Sequence, residues 1–330
     1  TEFILSGLTD RPELQVPLFV LFLLIYLITL FWNGGMILLI TIDPRLHTPM
    51  YFLLQNLSFC DICFSSIIAP KMLQSFISEK KSISYTGCYT QLYLGIFFQD
   101  TQCLLLAVMA YDRYVAISNP LLYSVTMSRQ HCNQLMAGVY GVALADSTII
   151  ICFFLQLSFC SSNIIKHFFC ESPALLALSC SDTSIYEIVL FASVCYTTVI
   201  SVVTILLSYV CIISTILQIH SAEGRHKTFS TCTCHLTTVA MFYGTQLFMY
   251  LRPTSSYSMD TDKIASVFYS LVIPLLNPLI YSLRNREVKD ALVRVMEGRL
   301  DWARAKPHRG DPRETQWAPS ENHSLTASWM

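Results

Sequence analysis

Charge is what this chain has least of: only 13% of its 330 residues are Asp, Glu, Lys or Arg, while 53% are hydrophobic. Soluble domains are about one quarter charged. A water-soluble fold would have to expose much of that apolar surface, so lipid is the solvent the composition selects. A formal net charge of −1 gives no field that would gather nucleic acid. No nucleophile elbow, zincin helix or phosphate loop occurs, which leaves an enzyme reading without support. Internal repeats of the kind inverted-repeat transporters carry are missing too. Residues 1–13 are mixed polar and lack the basic start of a cleavable signal. The chain opens at Thr1 with no initiator Met, so further residues are expected ahead of it.

What is present is a series of long apolar runs. A helix needs about 20 mainly apolar residues to cross the hydrocarbon core. Residues 16–42 meet that without a single charge. Six more spans follow, at 49–76, 88–119, 135–159, 187–220, 229–251 and 264–283. The expected fold is therefore an all-α integral membrane bundle of seven transmembrane helices. The later spans carry Ser, Thr, Asn and occasional acids, as helices with one face turned to protein do.

An odd number of spans puts the termini on opposite sides, and Lys and Arg set the orientation. With the N-terminus outside, the inner loops as far as Lys289 hold eight basic residues and the outer loops six. The C-terminal tail raises the inner total to fourteen, so the N-terminus is expected outside and the C-terminus inside. Cysteine placement agrees: Cys88 opens the third span, and Cys160, Cys170 and Cys180 cluster in the loop between spans four and five. Clustered loop cysteines suit an oxidising, extracellular side. Four cysteines allow three pairings, and the residues alone do not choose among them. Most of the remaining cysteines lie in apolar runs, where Cys is a small buried hydrophobe.

Beyond the seventh span, residues 284–297 place Val288, Leu292, Val293 and Met296 on one face. Arg286, Lys289, Asp290 and Arg294 lie largely on the other. That spacing predicts a short amphipathic helix on the inner leaflet, closing a seven-span membrane domain of residues 1–297. Residues 298–330 are poor in aliphatics and rich in Arg, Pro, Ser and Glu, and read as a disordered cytoplasmic tail.

The chemistry-bearing motifs sit at span ends. Span three closes on Met109-Ala110-Tyr111-Asp112-Arg113-Tyr114-Val115-Ala116-Ile117. An acid beside an Arg at a membrane boundary can hold the guanidinium in one state and release it in another; the plain alternative is an ordinary interfacial ion pair. Span seven closes on Pro274-Leu275-Leu276-Asn277-Pro278-Leu279-Ile280-Tyr281. Each proline removes a backbone hydrogen bond and bends the helix. Neighbouring polar groups must satisfy what is freed, and Asn277 is expected to do so. Asn33 and Asp61 are the other strongly polar groups of the early spans.

Together these resemble the rhodopsin-like G-protein-coupled receptors. Further motifs narrow the resemblance to the odorant receptors of the large tetrapod class. They are Leu46-His47-Thr48-Pro49-Met50-Tyr51-Phe52 entering span two, Ser208-Tyr209 in span five, Lys227-Thr228-Phe229-Ser230-Thr231-Cys232 opening span six, and Phe242-Tyr243-Gly244 within it. The likeness runs from about Thr1 to Arg294. It implies bridges Cys88–Cys170 and Cys160–Cys180. It also implies an activation switch of Asp112, Arg113, Tyr114, Tyr209, Asn277, Pro278 and Tyr281, and an intramembrane polar network of Asn33, Asp61 and Asn277.

Departures from the family pattern are Trp32 for Gly, Ser118 for Cys, and Gln102 for a Glu thought to hold sodium with the span-two Asp. With only Asp61 left, no sodium and no other cofactor is expected. No N-terminal glycosylation sequon is present; Asn56-Leu57-Ser58 lies inside a span and Asn322-His323-Ser324 in the tail. His167-x-x-Cys170-Glu171 has been read as a metal site in such receptors, but a cysteine in a bridge cannot be a thiolate ligand. Cys232-Thr233-Cys234-His235 and Arg309-Gly310-Asp311 are set aside as family context and chance.

The resemblance places the ligand in the outer half of the bundle, between spans three, five and six. Helical register nominates Gly95, Ile96, Gln99, Asp100, Ser193, Thr197, Tyr243, Gln246, Tyr250 and Ser270. At about 25 cal/mol per Å² of buried apolar surface, a small, volatile, mostly apolar odorant would bind in the micromolar range. Asp100 is the sharpest clue, because an acid in a span is costly. It would bind a cationic ligand, or be held protonated by Gln99, Gln102 or a polar group on span four. Asp146 in span four is equally unexplained. The implied partner is a stimulatory, olfactory-type heterotrimeric G protein that raises cyclic AMP at the plasma membrane. Alternatives are a receptor copy that folds without signalling or traffics poorly, suggested by Trp32, Gln102, Ser118 and the tail, and, more remotely, a transporter.

Overall fold

The computed structural model describes residues 2–9, 11–78, 81–160, 162–250, 259–284 and 286–296. Its elements in chain order begin with β1 (Glu2–Leu5), α1 (Pro12–Ile42), a 3₁₀ turn (Pro44–Leu46) and α2 (Pro49–Ile77). Next come β2 (Ser82–Ser84), α3 (Tyr85–Ser118), α4 (Tyr123–Thr126), α5 (Arg129–Phe154), β3 (Ile164–Ile165), α6 (Ser172–Leu176) and α7 (Ser184–Gln218). The chain then runs through α8 (Ala222–Tyr250), α9 (Met259–Val267), a π-helical segment (Phe268–Val272), α10 (Ile273–Arg284) and α11 (Arg286–Met296).

Helices α1, α2, α3, α5, α7, α8 and the run α9–α10 form a seven-helix bundle. Among the described residues six of these are long and apolar enough to cross a membrane. The sixth in order, α8, is 29 residues long but opens on Glu223, Arg225 and Lys227, which dilute its hydropathy. Lipid as solvent explains the surface: Val16, Phe31, Phe191 and Leu217 are each at least 70% exposed. Between helices in lipid there is no hydrophobic drive, so packing and interhelical hydrogen bonds hold the bundle. The central helix is α3, which packs against α2, α5, α7 and α8 and buries Leu105, Ala110 and Val115.

Helix bounds differ from those read in the sequence where capping chemistry intervenes. Helix α3 starts at Tyr85 because Ser84 caps it, its hydroxyl accepting from the Gly87 amide at 3.0 Å. Ser128 likewise starts α5 by accepting from the His131 amide at 3.4 Å. The expected end of span four at residue 159 is corrected to Phe154. The chain leaves the helix there to pair Phe159 with Ser179 and to bridge Cys160 with Cys180.

A small three-stranded sheet, ordered β2-β1-β3, roofs one end of the bundle. Strand β1 pairs antiparallel with β2 (Phe3↔Ile83) and parallel with β3 (Ile4↔Ile164). Its alternation buries Phe3 and Leu5, as a half-buried strand should. Those side chains join Cys88, Ile150, Phe154 and Tyr186 in one cluster. The turn that follows needs the left-handed conformation of Gly7, φ 78°, which glycine adopts without a Cβ clash. The Cys88–Cys170 bridge fastens the roof to the start of α3.

At the opposite end α11 folds back onto the bundle. Val288 and Ala291 are its buried residues, whereas Leu292 and Val293 are about half exposed, at 45% and 49%. Tyr51 donates to Glu287 at 2.7 Å, and Arg294 pairs with the buried Asp43. The expected disorder of residues 298–330 lies outside the described residues, as does the tail sequon.

Candidate functional site

Under the roof, α2, α3, α5, α7, the π segment and the segment leading into α6 line a half-open cavity of about 90 Å³. Most of the lining is apolar: Leu92, Ile96, Ile150, Leu190 and Val194 contribute hydrocarbon, and Phe64, Phe169 and Tyr269 an aromatic wall. Phe64 stacks on Tyr269 at 6.1 Å, and Phe169 meets the same ring edge-on at 6.5 Å.

Of the ten nominated ligand residues, the structure brings Gly95, Ile96, Gln99, Asp100 and Ser193 to this lining. Thr197 is buried beside Asp100. Tyr243 lies elsewhere, its hydroxyl 3.3 Å from the Cys103 sulfur. Gln246 is half-buried on α8, and the side chain of Tyr250 lies outside the described residues. Ser270 turns to its own helix, donating to the Ser266 carbonyl. A register of 3.6 residues per turn cannot anticipate this, because the π segment inserts an extra residue and presents Tyr269 instead.

Polar groups at the roof come from a loop that register reasoning did not reach. Glu171 lines the cavity and accepts from Tyr269 at 2.9 Å and Ser266 at 3.3 Å. Burial pushes its carboxyl up to about 7, with Asp262 adding to the shift. His167 stands 3.4 Å from Glu171 and stacks on Phe168; burial, with Lys263 nearby, pushes its imidazole down to about 3. Gln91 ties the roof to α2: its side-chain oxygen accepts from the Cys170 amide at 2.8 Å, and its amide donates to the Ile67 carbonyl at 2.9 Å. The only forewarning was His167-x-x-Cys170-Glu171; Cys170 is in the bridge, and no group of three metal-ligating side chains occurs among the described residues.

Deeper in the bundle Asp100 faces Asp146 of α5 and Thr197 of α7. Asp146 accepts a hydrogen bond from Ser193. The span-four group of the sequence expectation is therefore Asp146, while Gln102 is engaged elsewhere. Its amide donates to Asp61 at 3.0 Å, and Asn277 donates to both oxygens of the same carboxyl at 3.2 and 3.0 Å. The expectation that Asn277 satisfies the backbone freed by the span-seven prolines needs correcting. Pro278 has no N–H, which frees the Pro274 carbonyl, and Asn33 of α1 donates to it at 3.0 Å.

Toward the α11 end, buried Arg113 packs among Tyr209, Tyr281, Cys232 and Asp112. Asp112 accepts from Tyr123 of α4 at 2.8 Å, a partner the motif does not reveal. Tyr114 is half-buried on the same turn. Tyr209 meets His235 Nδ1 at 2.9 Å, and His235 Nε2 meets the Leu106 carbonyl at 3.0 Å. A carbonyl only accepts, so Nε2 carries the proton, and a single imidazole links α7, α8 and α3. In the sequence His235 stands out only as the end of the metal-like run Cys232-Thr233-Cys234-His235. Ser118 bonds Thr215 across α3 and α7 at 2.9 Å.

Comparison with known proteins agrees with this geometry. The family model described as "Olfactory receptor" matches residues 22–299. The chain is 54% identical over 296 residues to chicken (Gallus gallus) olfactory receptor-like protein COR4, covering 90% of this chain and 95% of that protein. It is 53% identical over 292 residues to human olfactory receptor 5W2, covering 88% and 94%. In fold it is similar to the crystal structure of squid rhodopsin, with a TM-score of 0.67 at 17% identity, covering 94% of this chain and 91% of that one.

Proposed function

The chain belongs to the olfactory receptor family of multi-pass, seven-helix signalling receptors, which are not enzymes, and from that premise we propose that it is an odorant receptor signalling through cyclic AMP. The ligand is a small, mostly apolar molecule taken into the cavity between α3, α5 and α7. The roof with its two bridges faces outside the plasma membrane, and the α11 end faces the cytosol. There Asp112, Arg113, Tyr114, Tyr209, Asn277, Pro278 and Tyr281 rearrange to admit a stimulatory, olfactory-type G protein. Asp61 takes no sodium ion in this reading, because its oxygens are bonded to the amides of Gln102 and Asn277.

The observation that carries the reading is the separation of two centres within one bundle. A half-open, largely apolar cavity lies beneath the roof, and a buried arginine among tyrosines lies near the other end of α3. Binding at the first can alter the second only through the helices that join them, which is the arrangement a transmembrane signal requires.

The test is cyclic AMP in cells expressing the chain with a surface tag, the olfactory stimulatory α subunit and a broad odorant panel. A dose-dependent rise that disappears in Arg113→Ala, with surface labelling unchanged, is the expected result. Silence across the panel despite good surface labelling would replace it with a receptor that binds without signalling.

A further inference from the structure

Among the described residues the ionisable lining of the cavity is acidic. Among its eighteen lining residues the ionisable side chains that can carry charge are Asp100 and Glu171, and no Lys, Arg or His lines it. The two acids differ in what holds them. Glu171 is already bonded to Tyr269 and Ser266. Asp100 is held differently: its carboxyl lies within hydrogen-bonding reach of Asp146 and Thr197, while its buried Oδ2 accepts from no described residue. Asp146, the group it faces, is itself an acid and adds no positive charge.

A buried carboxylate oxygen without a donor costs free energy unless something supplies the proton and the charge. In a membrane span such a group marks a binding function by default. The remaining lining states what the rest of the ligand must be. Leu92, Ile96, Ile150, Leu190 and Val194 offer only hydrocarbon, and the rings of Phe64, Phe169 and Tyr269 present faces that attract a cation.

We propose that the cavity is selective for protonated amines, with the ammonium group donating to Asp100 beside Asp146 and the hydrocarbon tail lying against the aliphatic wall. An alkylamine has the chemistry of a lysine side chain and is charged at neutral pH. Its ammonium carries three donors, enough for the Asp100 carboxyl with others to spare for Gln99, both of which line the cavity. An alcohol of the same shape brings one donor and no charge, and a carboxylic acid meets two acids of its own sign. This deepens the odorant-receptor reading by naming the ligand class, and it rests on that reading for the cavity being the ligand site.

The test is binding to the purified full chain in detergent, read as the rise in melting temperature. The probes are hexylamine, cyclohexylamine and benzylamine, each against hexyl alcohol, cyclohexanol and benzyl alcohol. At neutral pH at least one amine stabilises the chain at concentrations at least about tenfold below its matching alcohol. Asp100→Asn weakens that amine by roughly 30-fold or more, as loss of one partner of a buried charge pair does, and leaves the alcohol unchanged. Asp100→Glu, which keeps the charge, retains the preference for the amine and guards against a folding defect in the Asn variant.

Equal effects of amines and alcohols, or undiminished amine binding in Asp100→Asn, overturn the proposal. So does the absence of any shift with all three amines, or a shift that sodium or calcium chloride reproduces alone. Amine binding without a cyclic AMP rise would sink the coupling and spare the site. A cyclic AMP response confined to uncharged odorants would do the reverse.

Discussion

The two ends of this bundle are held together by different kinds of force. At the roof, Cys88–Cys170 and Cys160–Cys180 and a sheet of three distant segments make a covalent frame over the cavity. At the α11 end the contacts are side-chain hydrogen bonds between helices: Asp112 with Tyr123, Tyr209 with His235, Ser118 with Thr215. Each such bond in a membrane bundle is worth about 0.6 kcal/mol on average, so it can be exchanged for another at little cost. The difference teaches where motion belongs. In the proposed signalling scheme, a ligand pressing on the fixed frame transmits its effect to the end whose bonds are easily traded.

The largest way to break that contrast is to open the frame. Cys88→Ser should cost about 2–5 kcal/mol and remove most surface labelling, because the roof loses its tie to α3. Next is the buried centre between the two ends. Asp61→Ala leaves the amides of Gln102 and Asn277 buried without an acceptor, an expected loss of about 1–3 kcal/mol in the melting of the detergent-purified chain.

The third test concerns the roof's opposed titrations. Glu171 is raised from 4.5 to about 7, and His167 is lowered from 6.5 to about 3. Between pH 4.5 and 6.5 the unfolded chain binds one more proton at His167 and one fewer at Glu171, so the two slopes cancel. Glu171→Gln removes the falling slope. Melting temperature should then rise with pH over that window, by an amount equivalent to about 2–3 kcal/mol. In His167→Gln the falling slope stands alone, and stability should drop as pH climbs toward 7. A flat profile in both variants would show that neither group is held as described.

Smaller effects sharpen the other end. Asn33→Leu orphans the Pro274 carbonyl and should cost about 1–2 kcal/mol, with a loss of tilt control in α10 seen as altered signalling at constant surface level. Ser118→Ala removes the α3–α7 bond to Thr215 and should shift melting by only about 0.6 kcal/mol. Basal cyclic AMP should rise, since the tether favours one arrangement of the two helices.

The spans were legible because lipid imposes a long, simple pattern that hydropathy reads directly. The motif around Arg113 was legible as a motif but not in its partners, since Tyr123 and His235 come from other elements. The site was half legible. Gly95, Ile96, Gln99 and Asp100 follow from the regular turn of α3, whereas Ser270 fails because the π segment shifts the face by one residue. Glu171 and Phe169 were beyond reach for a different reason: a loop carries no period, and only the bridge at Cys170 fixes where it lies.

Strand β1 has a consequence for how the molecule is made. Its partners Ile83 and Ile164 stand about 80 and 160 residues further along the chain. At a synthesis rate of roughly 5–20 residues per second, Phe3 and Leu5 must wait about 10–30 seconds before both neighbours exist. For that interval an apolar strand with open edges waits unpaired, a template for stray pairing. These early residues are thus among the last to find their place, and their shielding during that interval bears on how much receptor survives its own synthesis.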